Sequence, residues 1–599
     1  MRISCAFLLA AIVSLPVHGA DRSAEVARKL QALDEQMRSV LRDWNGVGVG
    51  VGVVVDDELV FTRGYGYRDY GNKLPITSRT LFQIASNTKL FAAVSAGMLV
   101  EEGKLTWDEP IREAVPSIRF YNDSLNSSVT LRDMLAHRTG VTRHDSIWYK
   151  SEFTSRDIYE RLQFLEPTAP PRQILLYNNL MYAGVGHVVE LESGQPWKDF
   201  VKDRILTPLD MRSTVFSISD MLKQPDHAVP YDERRESSEL YRIPYYERTD
   251  GIAAAGSAIS NIEDLSHWLI ALMHEGRYSG KQVLPASVLE ATLQPSIAVP
   301  NELGEEYGWW ELQNPVEGMG RRTASYRGHL ITYHGGALPG FYSQISYLPL
   351  DRIGVIVFTI GKHTRKLTDA ISYNIYEQLL GMSQTPWTDR WLEVRRKDKR
   401  AAIAARAKAG AGRVVGTHPS HPLAEYAGDY EHAAYGVLSI GLKDGQLQFN
   451  LHDLHLPLTH FHYDRFDSPD DAQDGLRSVN FLTNPQGDVD RATLSLDEAE
   501  ATFIRRPAPV DKQLLERLTG TYESPNAERF QIVLRPDDTL VVASPDGPAR
   551  VLIAYQHLKF RIREFSDVTY EFVMDNDRVT ALMETSPSGQ HVSKRRGPP

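Results

Sequence analysis

The chain has 599 residues, and this length indicates three or four domains of about 100 to 200 residues each. Hydrophobic residues make up 42% and charged residues 24%, which is typical of soluble globular proteins, and the formal net charge of −11 argues against a nucleic-acid partner. The single cysteine, Cys5, lies in the first twenty residues, so the composition excludes a disulfide framework and, once that segment is removed, a cysteine nucleophile.

The first twenty residues are predicted to be a cleaved secretory signal. Arg2 precedes an apolar run over residues 5–15, and the small residues around Gly19 and Ala20 form a cleavage site. The run is too short to span a bilayer comfortably, and no later stretch reaches the length of a membrane helix. We therefore expect a periplasmic or secreted protein with no integral membrane segment after signal removal.

Residues 21–385 are predicted to form one α+β domain. The Gly-Val alternation over residues 46–55, followed by the apolar residues 59–61, predicts a β-hairpin whose glycines face a closely packed helix. Helical and then strand patterns follow, at residues 129–200, 261–273, 331–333, 342–348 and 353–360. One sheet is thus built from both ends of the region, with helices inserted between them.

The segment Ser86-Asn87-Thr88-Lys89 is the only place where a serine stands three positions before a lysine. An apolar helix pattern continues from it to Gly103, so Ser86 is expected in the first helical turn, with Lys89 on the same face. Partial burial would lower the pKa of Lys89 from its usual value of about 10.4, and a serine next to such a base is a candidate nucleophile. The alternative is a lysine that extends to solvent from an ordinary buried helix.

Two later segments are candidate partners of Ser86, namely Tyr177-Asn178-Asn179 and His334-Gly335-Gly336. Each pattern also occurs by chance elsewhere in the chain, at Tyr70 and at His274. Context separates the copies. Tyr177 is expected in a loop between helical stretches, and His334 is expected to interrupt a strand whose glycines allow close backbone approach to a ligand.

The order and spacing of these three motifs resemble the serine hydrolases of the class C beta-lactamase and penicillin-binding-protein superfamily, including peptidases of the S12 type. The resemblance covers roughly residues 25 to 385, and the tail resembles the accessory β-domain that many members carry. Further similar segments lie at residues 108–111, 131–140, 339–341, 417–420 and 460–464. The resemblance implies a beta-lactamase/transpeptidase-like domain, an antiparallel sheet flanked by helices with a helical insertion.

The resemblance also implies a role for each motif residue. Ser86 would attack a carbonyl and form an acyl-enzyme. Tyr177, as a phenolate or through a proton shared with Lys89, would be the general base, and a nearby cation such as Lys89 would favour its ionised form. Asn179 would bind the substrate amide or orient Lys89, and the backbone N–H groups of Ser86 and Ala337 would form the oxyanion hole.

The strand motif departs from that of true beta-lactamases, which usually carry Lys-Thr-Gly where this chain has His334-Gly335-Gly336. A fixed positive charge is thereby replaced by a group that titrates near neutrality, with Gly336 kept beside the oxyanion hole. Esterases and aminopeptidase-like members commonly carry histidine there. The departure therefore favours an esterase or peptidase over a beta-lactamase, unless His334 is only structural.

No cofactor and no metal site are expected. The tail histidines 452, 455, 460 and 462 match no zinc-hydrolase motif, and surface-strand positions are the simpler interpretation. A Gly-x-Ser-x-Gly elbow is also missing from the sequence, which argues against an α/β-hydrolase.

The C-terminal third is predicted to hold a linker and two small β-domains. Residues 386–420 are predicted to form a solvent-exposed, Arg/Lys/Ala-rich helix followed by a linker. Residues 421–508 and 509–599 are a repeat, because each opens on a Gly-Asp/Thr-Tyr segment and closes on paired arginines. Two antiparallel β-barrels or sandwiches fit this pattern best. The roles of the two β-domains and the oligomeric state stay open.

The predicted function is a secreted serine hydrolase acting on a small ester, amide or short peptide, with D-amino-acid peptides included. One alternative is a catalytically idle protein of the same fold that binds cell-wall material or serves as a scaffold. The other alternative is a beta-lactamase.

Overall fold

The computed structural model describes residues 19–597 except 409, 486, 508, 509, 546, 557 and 564. Residues 1–18 of the predicted signal lie outside the described residues. The chain divides into two compact units, one comprising Met1–Trp148 and Glu152–Lys408, the other Tyr149–Ser151 and Ala409–Pro599. Among the described residues, no helix combines the length and the apolar character that crossing a bilayer requires.

The first unit is built on a nine-stranded antiparallel sheet in the order β10-β11-β12-β13-β14-β15-β1-β2-β3. Three two-stranded sheets, β4-β7, β5-β6 and β8-β9, accompany it. The strands of this unit are β1 (Gly48–Val55), β2 (Glu58–Asp69), β3 (Leu74–Pro75), β4 (Phe82–Gln83), β5 (Tyr231–Glu233), β6 (Leu240–Arg242), β7 (Ile259–Ser260), β8 (Arg277–Tyr278), β9 (Lys281–Gln282), β10 (Ile297–Ala298), β11 (Leu312–Glu317), β12 (Arg322–Tyr326), β13 (His329–Leu338), β14 (Phe341–Leu348) and β15 (Ile353–Ile360). The predicted hairpin and the three later strands are confirmed, and β13 continues through His334 rather than being interrupted there.

Helices cover both faces of the sheet. They are α1 (Gly19–Lys29), α2 (Leu33–Asp43), α3 (Lys89–Glu101), α4 (Ile111–Ala114), α5 (Asp123–Ser128), α6 (Leu131–Leu135), α7 (Ser155–Arg161), α8 (Asn179–Ser193), α9 (Trp197–Val201), α10 (Ile218–Met221), α11 (Ala253–Gly256), α12 (Ile262–Met273), α13 (Ala286–Leu293), α14 (Glu302–Tyr307), α15 (Leu367–Leu379) and α16 (Trp387–Ala407). Short 3₁₀ turns lie at Ala85–Thr88, Asp145–Ile147, Leu162–Phe164, Asp250–Ile252 and Lys362–Thr364, and a π-helical turn at Lys202–Leu206.

The glycines of β1 determine which helix covers one face of the sheet. A Cβ atom on Gly52 would lie 2.4 Å from Ile262 Cγ2, and one on Gly50 would touch the same side chain, so α12 packs directly on the bare strand. The alternate residues Val49, Val51 and Val53 are fully buried on the other face, in a core shared with α1, α2, α15 and α16. The predicted helix against the glycine face is therefore confirmed.

Helix α16 corrects the prediction of a solvent-exposed linker helix. Trp387 and Trp391 are buried and belong to the core of the first unit, and Leu392 joins them. Their spacing of four residues puts the two indoles on one face of the helix, while the Arg/Lys/Ala-rich remainder up to Ala407 is mostly exposed. The first turns of this helix are therefore part of the domain.

The second unit contains two closed eight-stranded β-barrels, one of the two architectures predicted for the tail. The first barrel follows α17 (Leu423–Tyr426) and comprises β16 (Gly428–His432), β17 (Gly436–Lys443), β18 (Gln446–Leu451), β19 (Leu454–His462), β20 (Arg465–Asp467), β21 (Ser478–Thr483), β22 (Val489–Leu496) and β23 (Ala499–Arg505). The second barrel follows α18 (Lys512–Leu518) and comprises β24 (Gly520–Glu523), β25 (Arg529–Leu534), β26 (Leu540–Ala543), β27 (Arg550–Gln556), β28 (Lys559–Ile562), β29 (Phe565–Asp575), β30 (Arg578–Ser586) and β31 (Gly589–Arg596).

Each barrel is closed at one corner by the same set of contacts. In the first, the Tyr430 hydroxyl donates to the Tyr426 carbonyl at 2.9 Å, and in the second the Tyr522 hydroxyl donates to the Leu518 carbonyl at 2.8 Å. Arg595 in the last strand donates to the Thr519 carbonyl at 2.6 Å, as Arg505 does to the segment before the first barrel. The first arginine of each pair that marked the sequence repeat thus connects the last strand of the barrel to the segment just before its first strand.

Candidate active site

Ser86 lies in a short 3₁₀ turn, Ala85–Thr88, that leads directly into α3. The α-helix therefore begins at Lys89, one turn later than the sequence pattern suggested, because Ala85 has a left-handed φ of 48° that a regular helix cannot contain. Such a conformation is costly for a residue with a side chain and is often found at functional sites. Ser86 is partly exposed, while Ala85 and Asn87 on either side are buried.

Side chains of the sheet hold this turn in place. Ser343 of β14 donates its hydroxyl to the Ile84 carbonyl at 2.8 Å and accepts from Asn87 Nδ2 at 2.8 Å. Thr88 donates to the Ala85 carbonyl at 2.6 Å and accepts from the Ala258 backbone N–H at 3.0 Å. Because these four bonds involve both ends of the turn, Ser86 has little freedom to move relative to the sheet.

Gly336 allows β13 to approach the chain just before Ser86. A Cβ atom at this position would lie 2.1 Å from the Ile84 carbonyl oxygen and 2.4 Å from Ser343 Oγ. Both atoms belong to the group that holds the Ser86 turn. No side chain can therefore be added at Gly336 without moving that turn.

We expect Gly336→Ala to lower the rate of acyl transfer by about 100-fold, because displacement of a reacting group by about 1 Å has effects of that size. Gly335→Ala is the matched control, since its added Cβ would meet the end of the Gln344 side chain at 3.1 Å and otherwise only make an ordinary contact with the Ser343 carbonyl oxygen at 3.8 Å. The measurements are the rate of ester hydrolysis and the thermal unfolding of the two variants. Equal activity of the two variants would contradict the assigned role of Gly336.

Lys89 is fully buried, and its ammonium nitrogen has three oxygen neighbours. Nζ lies 3.0 Å from Ser86 Oγ, 2.7 Å from Asn179 Oδ1 and 2.9 Å from the Ala255 carbonyl oxygen. Burial, and secondarily the charge of Arg143, holds the pKa of Lys89 well below its usual value. Burial thus favours the neutral amine more strongly here than for a lysine in water.

A neutral Lys89 satisfies these three contacts completely. The Asn179 and Ala255 oxygens can only accept, so they take the two N–H groups of the amine. An ammonium would donate its third N–H to Ser86 Oγ at 3.0 Å, whereas the neutral amine has its lone pair free in that direction for the hydroxyl proton. Lys89 is thus placed to act as the base for Ser86.

Tyr177 and Asn179 are brought to the site by the start of α8. Asn178 caps this helix, because its Oδ1 accepts from the backbone N–H groups of Leu180 and Met181. Asn179 is the first helical residue and is buried, and Tyr177 precedes the cap. The prediction that Tyr177 lies in a loop between helical stretches is confirmed.

The Tyr177 ring is enclosed by cationic and aromatic groups. Lys89 Nζ lies 4.8 Å and the Arg143 guanidinium carbon 5.2 Å from its centroid, and the His137 ring packs against it at 4.1 Å. Burial raises the pKa of Tyr177 above its usual value of 10, although a hydrogen bond with Ser86 acts in the opposite direction. The environment therefore disfavours the phenolate, which was one of the two forms expected for Tyr177, the other being a proton shared with Lys89.

His334 lies on β13 with its ring centroid 6.5 Å from that of Tyr177. Its Nδ1 is 2.7 Å from the Gly335 carbonyl oxygen, so Nδ1–H donates there and Nε2 keeps its lone pair. Burial, together with the charges of Lys89 and Arg322, lowers the pKa of His334 to about 3. The imidazole is neutral at physiological pH, and the expected titration near neutrality is not supported.

Part of β13 presents an open edge beside Ser86. On one side it pairs with β14 over Thr332–Leu338, and on the other β12 ends its pairing at Arg322↔Tyr333. Among the described strands, none pairs with the β12-side edge from His334 onward. The Ala337 backbone belongs to this stretch, and the Ser86 N–H lies near the start of the 3₁₀ turn that precedes α3, where the first N–H groups have no partner within the turn.

Four contributors to the site were missed by the sequence reasoning, namely His137, Arg143, Asp145 and Ala255. His137 accepts from the Asn178 backbone N–H at 3.1 Å through Nδ1 while its ring supports Tyr177. It lies in the segment 131–140 that resembles the family, which is the one signal that could have found it. Ala255 contributes only a carbonyl, which no sequence pattern reveals.

Two of the four tail histidines, His455 and His460, have ordinary hydrogen-bond partners. His455 Nδ1 lies 2.8 Å from Asn450 Oδ1, and His460 Nε2 lies 2.8 Å from the Tyr463 carbonyl oxygen. In the part of the chain that is described, no group of three or more His, Cys, Asp or Glu side chains could hold a metal ion.

Comparison with known proteins gives matches over both units. The Beta-lactamase family profile matches residues 31–379, and a profile described as a domain of unknown function, DUF3471, matches residues 412–507. Unguisins hydrolase ungD of Aspergillus violaceofuscus is 27% identical over 447 residues, which cover 69% of this chain and 77% of that protein. Protein flp of Staphylococcus aureus is 25% identical over 332 residues, covering 55% and 62%.

Among solved structures, the octameric penicillin-binding protein homologue from Pyrococcus abyssi is similar with a TM-score of 0.53 and 20% identity. The match covers 79% of this chain and 99% of that one. At this level of identity the likeness concerns the fold.

Proposed function

Because the chain belongs to the beta-lactamase family of serine hydrolases, we propose that it hydrolyses a small ester, amide or short peptide through an acyl-enzyme on Ser86. The observation that carries this proposal is the 3.0 Å contact between Ser86 Oγ and Lys89 Nζ, in a site where the lysine is buried and held by two further acceptors. A nucleophile next to a base that is itself oriented by other groups is the arrangement that covalent catalysis requires.

The proposed reaction begins when Ser86 Oγ attacks the substrate carbonyl carbon. The Lys89 lone pair takes the hydroxyl proton, and the negative charge on the former carbonyl oxygen is stabilised by the Ser86 and Ala337 backbone N–H groups. Collapse of this intermediate breaks the bond to the alcohol or amine. A neutral Tyr177, in hydrogen-bond contact with Ser86, gives the leaving group a proton and regains one from the Lys89 ammonium. A water molecule then attacks the acyl carbonyl carbon and gives a proton to Lys89. The bond between this carbon and Ser86 Oγ breaks, Ser86 regains a proton from Lys89, and the acid is released.

Two features of the site support ester and amide substrates. The open edge of β13 offers backbone groups to an extended acyl chain or peptide, as strand addition does in other complexes. The neutral His334 supplies no fixed charge for the carboxylate that beta-lactam substrates carry. A relative that is named as a hydrolase of unguisins is consistent with this choice.

An idle binding protein of the same fold is the second candidate. The contact between Lys89 and Ser86 argues against it, because burying a lysine costs free energy that a scaffold gains nothing from. We also propose, from the predicted signal at residues 1–20, that the protein works in the periplasm or outside the cell.

A substrate panel tests the proposal. We expect p-nitrophenyl acyl esters and D- or L-alanyl p-nitroanilides to be turned over, and nitrocefin to be hydrolysed at least about 100-fold more slowly. Faster turnover of nitrocefin than of every ester and anilide would instead identify a beta-lactamase. Lack of any turnover by the folded protein, together with no covalent labelling of Ser86, would identify the idle binding protein.

A further inference from the structure

Asp145 lies behind Asn179, outside the three motifs. We propose that Asp145 is a positioning residue, whose carboxylate determines which end of the Asn179 amide faces Lys89. This inference rests on the proposed function of Ser86 and Lys89. Asp145 would not touch the substrate but would act through Asn179.

The geometry assigns the two ends of the Asn179 amide. Asn179 Nδ2 lies 2.9 Å from Asp145 Oδ1, and Asn179 Oδ1 lies 2.7 Å from Lys89 Nζ. A carboxylate can only accept, so the NH₂ end must face Asp145 and the oxygen is left for Lys89. The reverse orientation would place two acceptors against each other on one side and two nitrogens on the other.

The Asp145 carboxylate is itself held in place. Its Oδ1 also accepts from Trp148 Nε1 at 2.6 Å, and its Oδ2 accepts from Arg143 Nε. Asp145 opens the 3₁₀ turn that ends at Ile147, which is fully buried. Three donors therefore converge on one carboxylate, and rotation of this side chain would break all three contacts.

The amide orientation decides where the Lys89 lone pair points. With Asn179 Oδ1 toward the amine, Lys89 donates to Asn179 and to Ala255, and its lone pair is left for Ser86. With the NH₂ end toward the amine, Asn179 would donate to that lone pair and compete with the Ser86 hydroxyl. Asp145 thus keeps the base directed at the nucleophile.

The charges around Lys89 give this role a pH signature. Burial has the largest effect on the pKa of Lys89. The charge of Arg143 lowers the pKa further, whereas the charges of Asp145 and Glu317 raise it. Lys89 is also faced by Ser86, by Asn179 and by the rings of Tyr177 and Tyr182, the latter 5.2 Å away. Its charge acts on His137 and His334 as well. Removing the Asp145 charge therefore lowers the pKa of Lys89, and the neutral, active amine persists to lower pH.

The test measures the rate at which a fluorophosphonate probe labels Ser86 in four proteins: wild type, Asp145→Ala, Asn179→Ala and the double variant. We expect Asp145→Ala to label about 10- to 100-fold more slowly, with the acid limb of its pH profile shifted to lower pH. On the plateau of the pH profile, where the Lys89 pKa no longer affects the rate, the double variant should label as fast as Asn179→Ala alone, because Asp145 orients Lys89 through Asn179. Asp108→Ala, which removes the carboxylate that pairs with Arg132 at 2.7 Å, is the control and should label at the wild-type rate.

Additive effects of Asp145→Ala and Asn179→Ala, or wild-type rates with an unshifted pH profile in Asp145→Ala, would overturn the inference while labelling of the wild type upholds the proposed function. If the folded wild type is not labelled at Ser86, the proposed function itself is wrong. Thermal unfolding shows whether Asp145→Ala folds. Should it not fold, Asp145→Ser, whose hydroxyl is too short to reach Asn179, is expected to give the same slow labelling and the same acid shift.

Discussion

Ser86→Ala is expected to abolish covalent labelling by a fluorophosphonate probe and to lower ester and amide hydrolysis by about 10⁴-fold or more. The reason is that Ser86 Oγ is the proposed nucleophile and lies 3.0 Å from Lys89 Nζ, the proposed base. Replacing it with hydrogen leaves the base with no nucleophile to activate. The fold should persist, since the turn is held by Ser343 and Thr88 rather than by the Ser86 side chain. Intact-protein mass spectrometry and turnover of the substrate panel measure both effects.

A second buried serine provides the control. Ser372 is buried in α15, where its hydroxyl donates to the Thr368 carbonyl at 2.8 Å. Ser372→Ala should label and turn over like wild type, with a loss of about 1 kcal/mol in the free energy of unfolding. Undiminished labelling of Ser86→Ala would show that another residue carries the nucleophile.

The parts of the fold that the sequence predicts are those with strong local patterns. The glycines of β1 alternate with valines, so both the strand and the bare face against α12 follow from the period of two. The barrels follow from the repeat of tyrosines and arginines. Helix α16 was misjudged because its many charged residues outweigh Trp387 and Trp391 in composition, although two indoles four residues apart are enough to bury one face.

In the candidate site, too, the local contacts could be predicted from the sequence and the contacts between distant segments could not. Ser86 and Lys89 are three residues apart, so their contact is local and could be predicted. Asp145 and Ala255 reach Lys89 and its partner Asn179 from distant segments, and no local pattern connects them. The protonation states of Tyr177 and His334 could not be predicted from the sequence either, because they depend on burial that only the assembled fold creates. The sequence left Tyr177 either as a phenolate or sharing a proton with Lys89, and burial disfavours the first of these forms. It also suggested a His334 that titrates near neutrality, whereas burial lowers the pKa of His334 to about 3.

Lys89→Arg is expected to lower acyl transfer by about 10³- to 10⁴-fold. The guanidinium keeps the positive charge but cannot lose a proton at accessible pH, so it cannot accept one from Ser86. If Lys89 acted only as a cation that stabilises a Tyr177 phenolate, arginine would replace it with a small loss. The variant therefore separates the two assignments of the general base. Rates of probe labelling and of ester hydrolysis measure the effect.

Two further variants serve as controls for the assignment of Lys89 as the general base. Lys198→Arg, at a partly exposed pair with Asp250, should leave the rates unchanged. Lys89→Met keeps the length of the side chain without its nitrogen and should be as slow as Lys89→Arg. If Lys89→Arg does not fold, the methionine variant still tests whether the amine is needed, and near wild-type labelling of either variant would rule out Lys89 as the base.

The pH dependence of the wild type provides the last test of the same assignment. The active form of Lys89 is the neutral amine, so the rate of probe labelling should rise with pH through the pKa of Lys89 and then level off. Burial lowers that pKa, and the acid limb should therefore lie well below pH 10. His334, with a pKa of about 3, should add no titration between pH 5 and 9. A rate that rises only near pH 10, where an unperturbed tyrosine or lysine ionises, would contradict a neutral Lys89 as the base.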